Sequence, residues 1–188
     1  MSQEIEIEFK NLLTKDEFDL LLNQLPFPAA SDLQINYYFE TKDFLLRQNK
    51  AALRIREKNN TYTLTLKQPH PAGLLETHDP LTKEEATSWI TGKIIPQAET
   101  SNQLKQLGIP QEELLCFGQL VTKRKEIQFK NTIVVLDEST YNNHLDYELE
   151  VEAPYYQVGL QVFNNLLATY QIEKKHTPNK IERFFATI

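Results

Sequence analysis

The opening stretch Met1-Ser2-Gln3-Glu4-Ile5-Glu6-Ile7-Glu8-Phe9-Lys10 alternates charged and apolar side chains at the period of a β-strand. A strand sends successive side chains to opposite faces, so Glu4, Glu6, Glu8 and Lys10 share one face and Ile5, Ile7 and Phe9 the other. Crowded carboxylates repel one another unless cations compensate them. Such a face belongs either in water or around bound metal.

The same alternation returns downstream. Arg54 and Arg56 oppose Leu53 and Ile55, and Thr61, Thr63, Thr65 and Lys67 oppose Tyr62, Leu64 and Leu66. Arg124, Glu126 and Gln128 alternate with Ile127 and Phe129, and Glu148, Glu150 and Glu152 with Leu149 and Val151. Asp137 is less regular: by parity it shares a face with Ile133 and Val135, which calls for a bulge or a mixed face. Strand patterns cover 1–10, 33–41, 44–48, 51–58, 61–68, 74–78, 114–130, 132–139 and 146–153, separated by turn-like pairs such as Asn59-Asn60. Helices are expected over 14–25, opened by Thr14-x-x-Glu17 and stopped by Pro26 and Pro28, and over 82–89, opened by Thr82-x-x-Glu85. Further helices are expected over 99–107, over 154–170, and from about Pro178 with Thr177 as its cap. No fixed-period repeat or low-complexity tract is present.

Composition bounds the reading. The 188 residues are 40% hydrophobic and 24% charged, enough for one sizeable core, and nothing resembles a linker, so a single domain over 1–188 is expected. A net charge of −6 argues against a protein that coats nucleic acid. Cys116 is the only cysteine, which excludes an intrachain disulfide and fits a reducing cytoplasm. The acidic N-terminus and the lack of a long apolar run predict neither secretion nor membrane insertion.

A sheet with its apolar face on a core and its charges in water is the ordinary explanation of alternating strands. Here, however, the charges sort by strand into acidic pairs and basic pairs, and there are enough strands to close a barrel with its apolar face turned outward to the helices. Ionic faces would then line an interior that must be wide, wet and filled by a polyanion with metal ions, because unpaired buried charge is too costly. Triphosphate is such a guest.

Glu6-x-Glu8-x-Lys10, Arg54-Ile55-Arg56, Lys67 closing Thr65-Leu66-Lys67, Arg124, Leu136-Asp137-Glu138, Glu148-Leu149-Glu150, and Asn179-Lys180 with Arg183 together resemble the CYTH family, in order and over essentially the whole chain. The tail 177–184 is similar to the small bacterial branch. The resemblance implies an α+β fold: an eight-stranded antiparallel β-barrel forming a tunnel, with flanking helices, that binds triphosphate compounds with divalent cations. It implies that Lys10, Arg54, Arg56, Lys67, Arg124 and Lys180 bind the triphosphate and offset charge during catalysis, with Arg183 a further substrate-binding residue. It also implies that Glu6, Glu8, Asp137, Glu148 and Glu150 hold Mg2+ or Mn2+.

The side-chain chemistry agrees. Guanidinium groups offer planar, bidentate phosphate donors, ammonium groups compact charge, and carboxylates hard oxygen ligands. Phosphoryl transfer needs chiefly in-line positioning and electrostatic stabilisation, so metal-assisted attack of water on the terminal phosphorus is expected. Glu4 and Glu152 extend the acidic runs and are read as rim or solvent positions. Lys123 and Lys125 oppose Arg124 and belong outside. Glu76 and Glu126 are second-tier partners for cations, and His70, His78, His144 and His176, scattered without ligand spacing, are read as surface or loop histidines. Trp89 is read as packing.

The five glycines form no phosphate-cradling loop, and no serine nucleophile motif is present, so side chains must hold the phosphate. Known branches of the family include inorganic triphosphatases, thiamine triphosphatases and class IV adenylate cyclases, and fold does not choose among them. Thr122 stands two residues before Arg124, where many relatives including cyclases carry a basic residue, which counts against cyclase activity. The expected protein is a cytoplasmic, metal-dependent triphosphatase, monomeric or homodimeric. Its alternatives are a cyclase, a thiamine triphosphatase, or a non-catalytic triphosphate- or polyphosphate-binding module.

Overall fold

The structure, a computed structural model, describes residues 3–188; Met1 and Ser2, where the expected first strand opens, lie outside the described residues. In chain order the elements are β1 (Gln3–Glu6), β2 (Glu8–Leu13), α1 (Lys15–Gln24), β3 (Asp32–Glu40), α2 (Leu45–Gln48), β4 (Ala52–Lys58), β5 (Thr61–His70), β6 (Gly73–Leu81), α3 (Lys83–Ile90), α4 (Ala98–Gln106), β7 (Leu115–Phe129), β8 (Thr132–Tyr141), β9 (His144–Glu152), α5 (Tyr156–Thr169) and α6 (Lys180–Phe185). The class is α+β, with antiparallel strands and flanking helices, as expected. The expected first strand is divided at Ile7, which brings the strands to nine among the described residues. Among those residues no helix is long and apolar enough to cross a membrane.

The chain forms two compact units. The first takes residues up to Ile5 together with Gln34–Leu120, and its strands run in the order β1-β6-β5-β4-β3. One face of these strands is apolar: Phe39, Leu53, Ile55, Leu64 and Leu66 pack against Ala86 and Trp89 of α3 and Leu104 of α4. The Trp89 ring meets Phe39 edge-on at 5.4 Å, and its indole N–H donates to the Ile95 carbonyl at 2.9 Å, which is the packing role expected of it. Asp79 enters the same side and accepts from the Glu99 and Thr100 N–H groups at 3.2 and 2.7 Å, satisfying donors that the first turn of α4 would otherwise leave open.

One expectation fails in this unit. Residues 44–48 read as a strand but form the single turn α2. The cause is Glu40, a buried carboxylate that accepts from the N–H groups of Thr41, Leu46 and Arg47 at 2.8, 3.0 and 2.9 Å. A tertiary cap of that kind overrides the local pattern of Phe44-Leu45-Leu46.

The second unit takes Glu6–Leu33 and Val121–Ile188, with strands ordered β7-β8-β9-β2. Val134, Leu136, Leu149 and Val151 face Phe18 and Leu21 of α1 and Val162, Phe163 and Leu166 of α5. Thr14 with Glu17 and Thr82 with Glu85 form the expected reciprocal capping boxes. The last helix is capped differently from the expectation: Asn179 with Glu182 closes the box, Lys180 is the first helical residue, and the Thr177 hydroxyl accepts from the Leu12 N–H at 2.9 Å.

Asp137 needs no bulge. The β7–β8 and β8–β9 registers run without interruption from Ile133 to Thr140, so Ile133, Val135 and Asp137 share a mixed face.

Gly159 of α5 packs against β2. A Cβ built there would lie 2.5 and 2.9 Å from the Phe9 ring and 2.8 Å from Ala153 Cβ. The Phe9 ring is itself held against Tyr156 and Phe163, with centroids 5.1 and 5.9 Å away. Gly to Ala inside a helix ordinarily stabilises by about 1 kcal/mol. Here Gly159→Ala is expected to reverse that sign and cost about 1–3 kcal/mol through overpacking, read as a lower urea midpoint at unchanged m-value.

Candidate phosphate and metal site

In the second unit, register builds the ionic face. Arg124 lies across from Asp137, and Asp137 across from Glu148; on the far side of β9, Glu148, Glu150 and Glu152 stand across from Leu12, Lys10 and Glu8. The odd residues Leu149 and Val151 face the core, so the even carboxylates are forced together on the opposite face. Helix α6 then lays two cations over them.

Lys180 Nζ lies 2.9 Å from Asp137 Oδ2, 3.0 Å from Glu148 Oε1 and 2.5 Å from Glu150 Oε1. Arg124 donates in a fork to Asp137, at 2.9 and 2.7 Å, and to Glu150 at 2.6 Å, with a longer contact of 3.4 Å to Glu152. Arg183 donates to Asp146 at 2.9 and 3.4 Å, to Glu148, and to the Pro178 carbonyl at 2.6 Å. Lys10 donates to Glu8 at 2.5 Å and to Asn179 Oδ1 at 2.6 Å. Glu6 ends β1 and is half-buried.

Burial and charge set the ionisation of this group. Burial pushes the Glu148 carboxyl up to about 7, against the pull of the Lys180 ammonium and with the repulsion of Glu150 added. Burial acts the same way on Glu150, but Lys180 and Arg124 overcome it and hold that carboxyl well below the usual range. Burial works against the charge of Lys180, yet Asp137, Glu150 and Glu148 keep it firmly protonated. Two neighbouring carboxyls thus differ in proton affinity: at Glu150 the charges of Lys180, Arg124 and Lys10 outweigh burial, whereas at Glu148 burial and the charge of Glu150 outweigh Lys180 and Arg183.

The first unit carries the remaining basic residues. Arg54 and Arg56 lie on the face of β4 opposite Leu53 and Ile55, with Thr65 and Thr63 across from them on β5. Arg56 Nε donates to Asn36 at 3.0 Å. Arg54 Nε is buried with no hydrogen-bond partner among the described residues. A buried guanidinium N–H left open is uncommon and marks a place for an acceptor. Lys67 pairs with Glu76 across the β5–β6 ladder.

Other residues fall as follows. Lys123 is exposed and pairs with Glu138 at 2.7 Å, while Lys125 donates to the Pro28 and Ala29 carbonyls at 2.5 Å, so neither joins the Arg124 face. Glu126 is exposed, and Trp89 is fully buried. Thr122 is buried and spends its hydroxyl on Ser139 at 3.1 Å, so this position adds no cation. Sequence reasoning missed Asp146, the main partner of Arg183; it stands two residues before Glu148 and simply extends the acidic stripe. It also read His78 as a surface residue, whereas His78 Nε2 lies 3.3 Å from both Glu4 and Glu76.

The CYTH domain model matches residues 4–185. The chain belongs to the CYTH family. It is 45% identical, over 98% of its length and 96% of the relative's, to the Bacillus subtilis (strain 168) protein YjbK, provisionally named a triphosphatase. It is 44% identical to a Bacillus halodurans protein provisionally named an adenylate cyclase, whose crystal structure it matches with a TM-score of 0.95 over 98% of this chain and 100% of that one. A Hippeastrum protein, provisionally named an adenylyl cyclase and reported to have a dominant triphosphatase activity, shares the fold at 23% identity, with a TM-score of 0.79 over 97% of this chain and 96% of that one. The antiparallel sheet with flanking helices is therefore the CYTH fold.

The sign of the Glu148 shift gives a test. A carboxyl raised on folding favours the native state fully below its ordinary value near 4.5 and loses that contribution as pH rises through about 7. In metal-free buffer, the stability of the native protein relative to Glu148→Gln is expected to fall by about 3 kcal/mol between pH 4.5 and pH 8, measured by urea denaturation at each pH.

Proposed function

We propose that this protein is a divalent-metal-dependent hydrolase of inorganic triphosphate or a simple organic triphosphate, with residues 1–188 acting as one catalytic domain in the cytoplasm, as a monomer or homodimer. The observation that carries the reading is the buried face on which Lys180 and Arg124 interleave with Asp137, Glu148 and Glu150. Pure anion binding needs the cations alone. Three carboxylates converging within 3.0 Å of one point form an all-oxygen donor set that suits a small hard cation, and an ammonium stands at that point.

In this reading Asp137, Glu148 and Glu150 hold Mg2+ or Mn2+, with Glu6 and Glu8 contributing. The metal, when bound, supplies charge stabilisation to the phosphoryl oxygens and acidity to a bound water. The open Nε–H of Arg54 supports a role for Arg54 and Arg56 as planar donors to phosphate oxygens, with Lys10, Lys67, Arg124 and Lys180 adding compact or bidentate charge. Arg183, whose donors go to Asp146, Glu148 and Pro178, orients Glu148 and neutralises part of the face on which substrate lies. The name of the Bacillus subtilis relative supports hydrolysis, and the neutral Thr122–Ser139 pair supports hydrolysis over cyclisation.

The test incubates purified protein with inorganic triphosphate, thiamine triphosphate or ATP, each with Mg2+ or Mn2+, and quantifies phosphate, pyrophosphate and cyclic AMP. Phosphate release from inorganic triphosphate is expected, falling by about a hundred-fold or more in Glu148→Gln. Arg54→Gln is expected to lower kcat/KM by a similar factor with little change in Tm, because no internal hydrogen bond of its Nε is lost. Pyrophosphate with cyclic AMP from ATP would assign a cyclase instead, and thermal stabilisation by triphosphate without turnover would assign a binding module.

A further inference from the structure

We propose that Glu4, Glu76 and His78 of the first unit form a binding site for a single transition-series divalent cation, of the Zn2+ or Co2+ class. This site uses none of the residues assigned above to metal binding and does not depend on the hydrolase reading.

The site follows from strand parity. Glu76 and His78 stand two apart on β6 and share a face, and β1 runs beside β6 to bring Glu4 to the same place. His78 Nε2 lies 3.3 Å from Glu4 Oε1 and 3.3 Å from Glu76 Oε2, and one donor atom from each of the three residues lies within 4.8 Å of the others. Donors held about 2.0–2.1 Å from a common ion lie about 3.0–3.4 Å from one another, so the imidazole already stands at ligand spacing from both carboxylates.

Two cross-strand neighbours prepare the donors. Thr65, directly across from His78, is buried and places its hydroxyl 3.0 Å from Nδ1. When Nδ1–H donates to that hydroxyl, the Nε2 lone pair is left facing the carboxylates, which is the tautomer that binds metal and the outer hydrogen bond that fixes a ligating ring. Lys67, directly across from Glu76, engages Oε1 and leaves Oε2 turned to the imidazole. Glu76 is nearly closed to water, His78 is one-quarter exposed and Glu4 is largely exposed, so an ion has a path in from the Glu4 side.

One nitrogen with two oxygens favours Zn2+, Co2+ or Mn2+ over Mg2+, which prefers oxygen ligands and keeps its water. The competing occupant is a proton. An imidazolium donating to both carboxylates would satisfy the same distances with no metal at all.

Co2+ separates the two. Protein stripped with chelator is titrated with Co2+ alone, following bound metal by equilibrium dialysis and ligand-field absorption, with no phosphate present. The native protein is expected to bind, besides any Co2+ held by Asp137, Glu148 and Glu150, one Co2+ that His78→Gln and Glu4→Gln each weaken by more than about ten-fold, and that Thr65→Val, which leaves all three ligands in place, weakens by about ten-fold. Glu148→Gln, in the other unit, is expected to keep it. Co2+ uptake and absorption unchanged in Glu4→Gln would overturn the proposal and leave His78 as a hydrogen-bond partner of the two carboxylates. Because Glu4 is exposed, that result stands even where His78→Gln fails to fold.

Discussion

Asp137, Glu148 and Glu150 lie within 3.0 Å of one ammonium, on a face almost closed to water. Desolvating each ion costs several kcal/mol, and only close, well-directed partners recover that cost. The second unit is built around meeting this demand. Arg124 reaches in from β7 at the register position across from Asp137, and Arg183 and Lys180 come down from α6. Six residues are too few for a helix to persist unaided, so α6 depends on its partners: the ion pairs, the buried Phe184, and the Asn179–Glu182 box, to which Lys10 adds a bond. The ion network and the last helix therefore stand or fall together.

Much of this was legible because strand parity is rigid. Charges at even positions of 148–152 and 54–56, with Leu149, Val151, Leu53 and Ile55 between them, could resolve into one ionic and one apolar face and nothing else, and the two Thr-x-x-Glu boxes set the starts of α1 and α3. What escaped the sequence depended on side-chain and strand partners that the local pattern does not show. Residues 44–48 look like a strand until Glu40 captures their N–H groups, and the break at Ile7 follows from β1 and β2 pairing with different strands, β6 and β9. Asp137 looked irregular because a face can mix Val135 with a carboxylate when Arg124 and Lys180 meet that carboxylate. His78 looked scattered because ligand spacing in a sheet is set across strands, by Thr65, Glu76 and Glu4, and not along one of them.

Each unit divides its labour in the same way. Helices cover one face of the strands, and that face is filled mainly by aliphatic and aromatic side chains, with Asp79 of the first unit set there to cap α4; the opposite face carries the ionic clusters. The helix-covered face supplies the stability, at about 1.5–3 kcal/mol for each large apolar side chain fully buried. The ionic face draws on it. In the first unit a buried N–H of Arg54 is left open, and in the second a carboxyl is held protonated to near neutrality, both of which a fold optimised only for stability would avoid.

The sidedness of the charges also bears on their origin. On the second unit's ionic face, Glu8, Asp137, Asp146, Glu148, Glu150 and Glu152 pair with Lys10, Arg124, Lys180 and Arg183. A proton on Glu148 or a bound divalent cation lowers the repulsion among these carboxylates. Nothing in the backbone requires carboxylates here, because the same face of the ladder also takes apolar side chains: Val135 stands across from Glu150 and Ile133 across from Glu152. Apolar residues at these sites would commonly be neutral or stabilising relative to buried ion pairs. A face that accepts the more expensive residues carries them at a cost that the fold itself does not require.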